Sequence, residues 1–567
     1  MKSTHPRVLS LFFLLFFLLP GAFAQGEAEG KNGMVATAHP LASEAAIAML
    51  QEGGNAVDAA VAAAFAIGVV EPDGSGLGGG GGMVIYMKET NQSHYINYYA
   101  RASERGSEAG YSGSRDAKTA KAICVPGTVA GLIMAHEEFG SLPLQTIMEP
   151  AIRYASEGFT IDATLATLIL DNIETVFADR VTTDIFCDDG FPLMEGDRIV
   201  QKELAETLAV ISREGKKGFY EGAVAESMVE GISKRGGTLT LNDFRAYKAE
   251  LTIPLHGTYR GYDILTANVP QSGLCLIEAL NILERYDLKN APHYSESAKT
   301  LHLIAEAERF TYADRTAYLG DPDDNEIPVS GLISKRYAKK RYRQINQKQL
   351  DPPVYRDVEE GDPTPYVKRE RHKDKPETAD AGGHTTHLSV IDKEGNSVAL
   401  TQTLGLFFGS GQTVEGVLMN CAMTNFSHRS KNSVNFYKDG KQSRSSIMPT
   451  IILKDDNPFL IAGSPGAARI ITTLIEVIIN VIDYEMSVTE ANLAPRFFVR
   501  DSEDYLYLES GIKPEVRDEL TEMGHTLNVY QGIDLFFGGA QLIYIDPENG
   551  SYFGSADKRR GGIAIGY

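Results

Sequence analysis

Three stretches of the chain hold residue types able to do chemistry. Gly463-Ser464-Pro465-Gly466-Ala467-Ala468-Arg469 reads as a tight turn. It opens a helix, because Ile470, Ile471, Leu474, Val477, Ile478, Val481 and Ile482 follow at a 3.6-residue period. Backbone N–H groups at a helix start favour negative charge; the plain alternative is an ordinary helix cap. A second stretch, Gly74 to Gly82, is dense in glycine, and Gly74, Gly76 and Gly79 formally match GxGxxG. A dinucleotide site needs a strand before that pattern and a helix after it. Here a helical run precedes the glycines and a strand, Met83 to Met87, follows, with no GK[ST] for a phosphate loop. The glycines instead let the backbone pass close to a site or a neighbouring sheet layer. The third stretch is Ala381-Gly382-Gly383-His384, which runs into Thr385-Thr386-His387-Leu388-Ser389-Val390-Ile391. Ser397 to Thr403 follows after a Gly395-Asn396 turn, so two alternating runs form a β-hairpin that begins with threonine.

The elements that must position these groups are legible nearby. Residues 40 to 70 read as two helices, the first capped by Ser43 and stopped at Gly53-Gly54. The second is capped by Asn55, runs from Ala56 to Val70 and ends at Pro72. Leu301 to Tyr318 has helical periodicity and ends before Gly320-Asp321-Pro322. Residues 345 to 380 place Pro352, Pro353, Pro363, Pro365 and Pro376 among dense charges, including Lys368 to Lys375. This predicts a solvated, poorly packed linker just ahead of the buried hairpin.

Composition narrows the function. The chain has 567 residues, 43% of them apolar and 23% charged, and a net charge of −21, so it is globular and unlike a nucleic-acid binder. Lys2 and Arg7, the apolar run Val8 to Leu19 and Ala22-Phe23-Ala24 read as a secretory signal cleaved after Ala24. The alternative, a membrane anchor, is disfavoured by the shortness of that run, and no later stretch is long enough to span a bilayer. Cys124, Cys187, Cys275 and Cys421 form no CxxC and read as small buried hydrophobes, although an exported compartment permits a disulfide.

Several segments, in order along the chain, resemble the gamma-glutamyltranspeptidase (glutathione hydrolase) family of N-terminal-nucleophile hydrolases. They are Gly53 to Ala60, Gly76 to Gly82, Val125 to Gly131, Gly320-Asp321-Pro322, Thr385-Thr386-His387, Ser445-Ser446, Gly463 to Gly466 and Gly566-Tyr567. The resemblance implies an α+β fold, a four-layer αββα sandwich made as one precursor that cuts itself in two. By motif match the new N-terminus is Thr385. This gives a signal peptide at 1–24, a large subunit at 25–384 and a small subunit at 385–567, paired as a heterodimer. Thr385 would then supply both a nucleophilic hydroxyl and a free α-amine as its base. The amine titrates at about 7.7–8.0. Thr403 matches a second threonine that hydrogen-bonds the nucleophile. The N–H groups of Gly466 and Ala467 match the oxyanion hole. Arg101 matches the arginine that meets the donor α-carboxylate, with a surface salt bridge as its alternative. Ser445 and Ser446 match a carboxylate-binding pair. No cofactor or metal is implied, and the cut would separate His384 from His387.

The sequence departs from the family where the donor α-ammonium is normally held. Gly405, Ala422 and Asn425 stand at those positions and none is a carboxylate. Ala467 replaces the usual glycine, which strains a turn that needs positive φ. The segment His428 to Arg444 could carry a lid with Phe436 and Tyr437. The resemblance therefore implies an exported, self-processing gamma-glutamyltransferase or hydrolase acting on small gamma-glutamyl amides. The alternatives are the same chemistry on glutaryl or poly-γ-glutamate donors, and a non-catalytic binding protein. The compartment would be periplasmic or extracellular, with no nucleic-acid partner and no membrane attachment after signal cleavage.

Overall fold

Two seven-stranded sheets lie face to face at the centre of the molecule. They are formed by strands β1 (Ala28–Gly30), β2 (Gly33–Thr37), β3 (Gly80–Met87), β4 (Gln92–Tyr98), β5 (Glu250–Thr252), β6 (Leu255–Tyr259) and β7 (Tyr262–Thr266) in the first part of the chain. The later part supplies β8 (His384–Asp392), β9 (Ser397–Gly405), β10 (Thr450–Lys454), β11 (Asn457–Gly463), β12 (Gln541–Ile545), β13 (Tyr552–Ala556) and β14 (Ile563–Gly566). One sheet runs β1-β13-β12-β11-β10-β7-β6 and the other β14-β2-β8-β9-β3-β4-β5. The computed structural model describes residues 27–367 and 384–567. The signal peptide read at 1–24 and the charge run Lys368 to Lys375 lie outside the described residues.

Helices α1 (Pro40–Gln51) and α2 (Ala56–Val70) cover the second sheet. Helices α3 (Gly273–Leu283) and α4 (Arg469–Ile482) cover the first, with α5 (Ala298–Tyr318) packed on α3. The result is helix, sheet, sheet, helix: the α+β αββα sandwich that the sequence implied. Helix α2 is buried nearly all round because Ala and Val fill every face, which lets its backbone approach β8 and β9 closely. Asn55 caps it in a reciprocal capping box with Asp58. Helix α1 is capped by the His39 side chain and not by Ser43, whose hydroxyl lies inside the helix and donates to Ile563 O at 2.8 Å.

Each sheet mixes strands from both sides of Thr385. Four strands of the first sheet and two of the second follow it in sequence, and β8 of the second contains it. A cut before Thr385 therefore leaves two pieces that share both sheets and cannot separate without breaking β-ladders.

Residues 345 to 367 overturn the reading of a poorly packed linker. Ile345, Leu350, Tyr355 and Val358 are buried in the main core. The buried Arg309 guanidinium collects the carbonyls of Asp351, Pro352, Val354 and Tyr355, and Arg341 takes that of Glu359. Prolines and surface charges conceal an anchoring that depends on arginines distant in sequence. Pro376 and the rest of the linker beyond 367 lie outside the described residues.

Tyr355 also ends a buried chain of hydrogen bonds. His302 Nδ1 pairs with His525 Nε2 at 2.8 Å, and His525 Nδ1 pairs with Tyr355 OH at 2.9 Å. Burial lowers the pKa of both histidines, His525 to about 3. The unfolded chain takes up those protons near pH 6.5, so below that pH it binds more protons than the folded one, down to about pH 3 at His525. Stability is therefore lost as pH falls through that window, by up to about 1.4 kcal/mol per pH unit for each histidine. A melting-temperature series from pH 7 to 4.5 should fall steadily, and His525→Gln should flatten the fall.

Candidate active site

Thr385 sits where the β8–β9 ladder slips. His384 pairs with Gly405 and Thr386 with Gln402, so Thr403 and Leu404 together face Thr385 across a β-bulge. Bulges re-aim side chains beside sites. Here the Thr385 hydroxyl donates to Thr403 Oγ1 at 3.2 Å, and the Gly405 N–H donates to the same oxygen at 2.9 Å. Thr385 is 3% exposed.

Alternation along the strand puts Thr385, His387 and Ser389 on one face, toward the first sheet. His387 Nδ1 pairs with Thr401 Oγ1 at 2.8 Å and Nε2 with Ser389 Oγ at 3.1 Å, and Ser389 donates to Gln541 O. Burial lowers the His387 pKa to about 3, so the ring is neutral. A Cβ at Gly463 on β11 would lie 2.1 Å from that ring, which is why the strand leading to the helix turn ends in glycine.

That turn comes next. Ser464 Oγ donates to Pro465 O at 2.7 Å and accepts from Gly539 N at 3.1 Å, fixing its path. Gly466 has φ 129° and Ala467 φ 52°, so Ala467 does adopt the left-handed conformation that the sequence made costly. For a residue with a Cβ the strain is about 1–2 kcal/mol. Among the described residues the N–H groups of Gly466 and Ala467 meet no acceptor. They stand ahead of α4, whose dipole adds to their pull on negative charge.

Ser445 and Ser446 form the opposite wall. Ser446 Oγ accepts from Arg315 Nη2 at 3.1 Å. Arg315 Nε also donates to Ser272 Oγ at 3.0 Å, and Ser272 Oγ donates to Ser445 O at 2.6 Å. Arg315 is 2% exposed and places a positive charge directly behind the serine pair. Sequence reasoning missed it. It lies on α5 among Glu306, Glu308, Arg309 and Asp314, all of them buried, and the helical periodicity of Leu301 to Tyr318 does not mark it out.

Thr385, Thr403, Gly405, Asn425, Ser445, Ser446 and Ala467 thus line one cleft with about 380 Å³ of atom-free space, together with Tyr99, Leu406, Ile447 and Ile470. Asn425 Nδ2 donates to Tyr99 OH at 2.6 Å. Among the described lining residues there is no carboxylate. Ala422 is buried beside Cys421 and Phe426 and does not line the cleft. Nor does the structure bring Arg101 to it. The Arg101 guanidinium pairs with Glu250 at 3.3 Å and Asp323 at 3.4 Å and donates to Gly440 O at 3.1 Å, the salt-bridge alternative. Phe436 and Tyr437 likewise stay off the cleft. Their loop is pinned to Ser103–Ser107 through Asp439 and Gly440. All four cysteines carry free thiols.

The sequence profile described as gamma-glutamyltranspeptidase matches residues 42–567. The chain is 37% identical to a glutathione hydrolase proenzyme of Bacillus subtilis, with 95% of this chain and 92% of that protein covered. It is 35% identical to a glutathione hydrolase proenzyme of Escherichia coli, with 93% and 90% covered. The crystal structure of a cephalosporin acylase from Bacillus halodurans superposes with a TM-score of 0.85 at 28% identity, covering 98% of this chain and 99% of the other.

Proposed function

Because the chain belongs to the gamma-glutamyltranspeptidase family, we propose that it is a precursor that cuts itself between His384 and Thr385 and then hydrolyses or transfers γ-glutamyl groups from small amide donors. One observation carries this reading. A buried threonine at a strand start is hydrogen-bonded to a second threonine and faces a helix-start turn with two unspent N–H groups.

In the precursor the Thr385 nitrogen is an amide and cannot act as a base. The Thr385 hydroxyl attacks the His384 carbonyl, the C–N bond breaks as an ester forms, and water releases the ester. The large subunit then ends at 384 and the small subunit begins with a free amine at Thr385. In turnover that amine takes the hydroxyl proton while Oγ1 attacks the donor carbonyl. Thr403 Oγ1 fixes the hydroxyl, and the Gly466 and Ala467 N–H groups receive the developing oxyanion. Such donors are each worth about 2.7–4 kcal/mol of barrier. Ser445 and Ser446, backed by Arg315, hold a donor carboxylate through charge-assisted bonds. Arg101 would have to leave Glu250 and Asp323 to join them. The signal peptide read at 1–24 places the mature heterodimer in the periplasm or outside the cell.

N-terminal sequencing of the shorter fragment tests the cut, and the expected read is Thr-Thr-His-Leu. An active enzyme that remains one unbroken chain overturns it. Thr403→Val, nearly isosteric, should lower kcat about a hundredfold while leaving KM within about twofold, measured on processed protein.

A second reading concerns the donor. Holding a desolvated α-ammonium without a carboxylate is costly, and the described cleft offers it only the Asn425 amide and hydroxyls. This favours a glutaryl-type donor, which has the terminal carboxylate and lacks the amine. Comparing γ-glutamyl and glutaryl 4-nitroanilides decides the matter: equal or faster glutaryl turnover selects the second reading.

A further inference from the structure

The turn that presents the Gly466 and Ala467 N–H groups is strained. Gly466 sits at φ 129° and Ala467 at φ 52°, a left-handed conformation that a Cβ disfavours. Such a conformation persists only where its surroundings over-determine it. Three hydrogen bonds from outside the turn do so here. Ser464 Oγ accepts from Gly539 N at 3.1 Å ahead of it. Arg469 Nε donates to Phe536 O at 2.9 Å behind it, with the guanidinium 4.7 Å from the Phe536 ring centre. The third bond comes from another part of the chain. Tyr312 OH donates to Ala468 O at 2.5 Å, one residue past Ala467 and 156 residues from the tyrosine.

Tyr312 is placed to hold that carbonyl firmly. It is buried on α5, with its ring edge-on to Phe498 at 6.3 Å and 90°. Burial pushes the phenol far above its usual range, so the hydroxyl donates at every working pH. Ala468 O also accepts from Ile471 N at 3.3 Å, a longer bond than the one from the tyrosine. Tyr312 stands one helical turn before Arg315, whose guanidinium backs Ser446. One stretch of α5 thus grips both walls of the cleft, Arg315 at the serine pair and Tyr312 at the turn. Helix α5 precedes Thr385 in sequence and both walls follow it. These grips therefore cross between the two pieces that a cut before Thr385 produces.

We propose that Tyr312 is a positioning residue: through the Ala468 carbonyl it holds Ala467 left-handed and aims the Gly466 and Ala467 N–H groups at the oxyanion. The proposal rests on the acyl-transfer reading above. Tyr312 does not line the cleft and touches no part of a donor there. Its hold on the turn matters only once negative charge develops on the carbonyl oxygen, because the bound donor is held by the serine pair.

The test is Tyr312→Phe, measured on processed protein with whichever 4-nitroanilide the enzyme turns over. The change removes one hydroxyl, and Ala468 O keeps the Ile471 N–H, so the melting temperature should stay within a few degrees of the parent. Expected are a kcat about tenfold lower and a KM within about twofold. The boronic acid analogue of the same donor gives a separate readout. Thr385 Oγ1 adds to its boron, the hydroxyl proton passes to the α-amine, and the tetrahedral anion places an oxygen where the oxyanion forms. Its inhibition constant should rise about tenfold in the variant. A kcat or an inhibition constant within about twofold of the parent overturns the proposal, as does a KM that rises as much as kcat falls. Hydrogen exchange does not depend on turnover. The amides of Arg469, Ile470 and Ile471, bonded to the carbonyls of Gly466, Ala467 and Ala468, should exchange faster in Tyr312→Phe while β10 is unchanged. Equal exchange in parent and variant sinks the proposal. Absence of turnover on every donor counts against the acyl-transfer reading, and the exchange experiment then decides by itself whether Tyr312 holds the turn.

Discussion

Thr385→Ala should accumulate as one uncut polypeptide, near 61.8 kDa before any leader is removed, with no acyl transfer detectable. The substitution deletes two functions together. It removes the hydroxyl that attacks the His384 carbonyl, so the scissile bond survives. Because the bond survives, the α-amine is never freed and there is no base. Losing a nucleophile typically lowers kcat by a factor on the order of 10⁴ to 10⁶. Here the amine is lost as well, and the two losses act as one because they belong to one residue. The fold should be indifferent. β8 keeps its pairing from Thr386 to Ile391 with β9, and Thr403 Oγ1 keeps the Gly405 N–H. A melting temperature within a few degrees of the parent therefore separates lost chemistry from lost structure. Thr385→Ser retains hydroxyl and amine and should be cut, more slowly because the missing methyl loosens a side chain that is 3% exposed. Full cleavage of the alanine variant would move the nucleophile elsewhere in the chain.

Some of this architecture is legible in local sequence because local forces set it. Asn55 and Asp58 form a capping box within one turn of helix. The hairpin is marked by alternation around Gly395, whose φ of 87° needs glycine. The apolar period from Ile470 to Ile482 fixes α4 and therefore where the turn at Gly466 and Ala467 must end. Other features depend on partners far apart in sequence. Arg315 approaches Ser446 across 131 residues, and nothing in the pattern of α5 separates it from a solvated charge. Arg309 anchors residues 351–355 in the same way. Arg101 matched a motif, yet its contacts come from Glu250, Asp323 and Gly440, three separate segments. Motif matching names residues that the fold brings into one cleft, Thr385, Thr403, Ser445, Ser446 and Ala467, and gives no sign of the arginine that stands behind the serines.

Asn425→Asp should shift the enzyme toward donors that carry a free α-amine. Asn425 lines the cleft and its amide is already bonded to Tyr99 OH, which can turn to donate to a carboxylate in its place. A full negative charge about 4 Å from an ammonium is worth about 4 kcal/mol at an effective dielectric of 20. Desolvating the new carboxylate cancels part of that. kcat/KM for γ-glutamyl 4-nitroanilide should therefore rise about tenfold to a hundredfold relative to the glutaryl compound, equivalent to about 1.4–2.8 kcal/mol. The effect should vanish at low pH, where the introduced carboxyl is protonated, and this pH dependence distinguishes a charge effect from a change of shape. The Asn425 carbonyl keeps its bond from Asn435 Nδ2 at 2.7 Å, so the segment stays in place. An unchanged donor ratio in a folded, processed variant would mean that the donor's α-carbon lies away from Asn425. The acyl chain would then have to run past the serine pair in another direction.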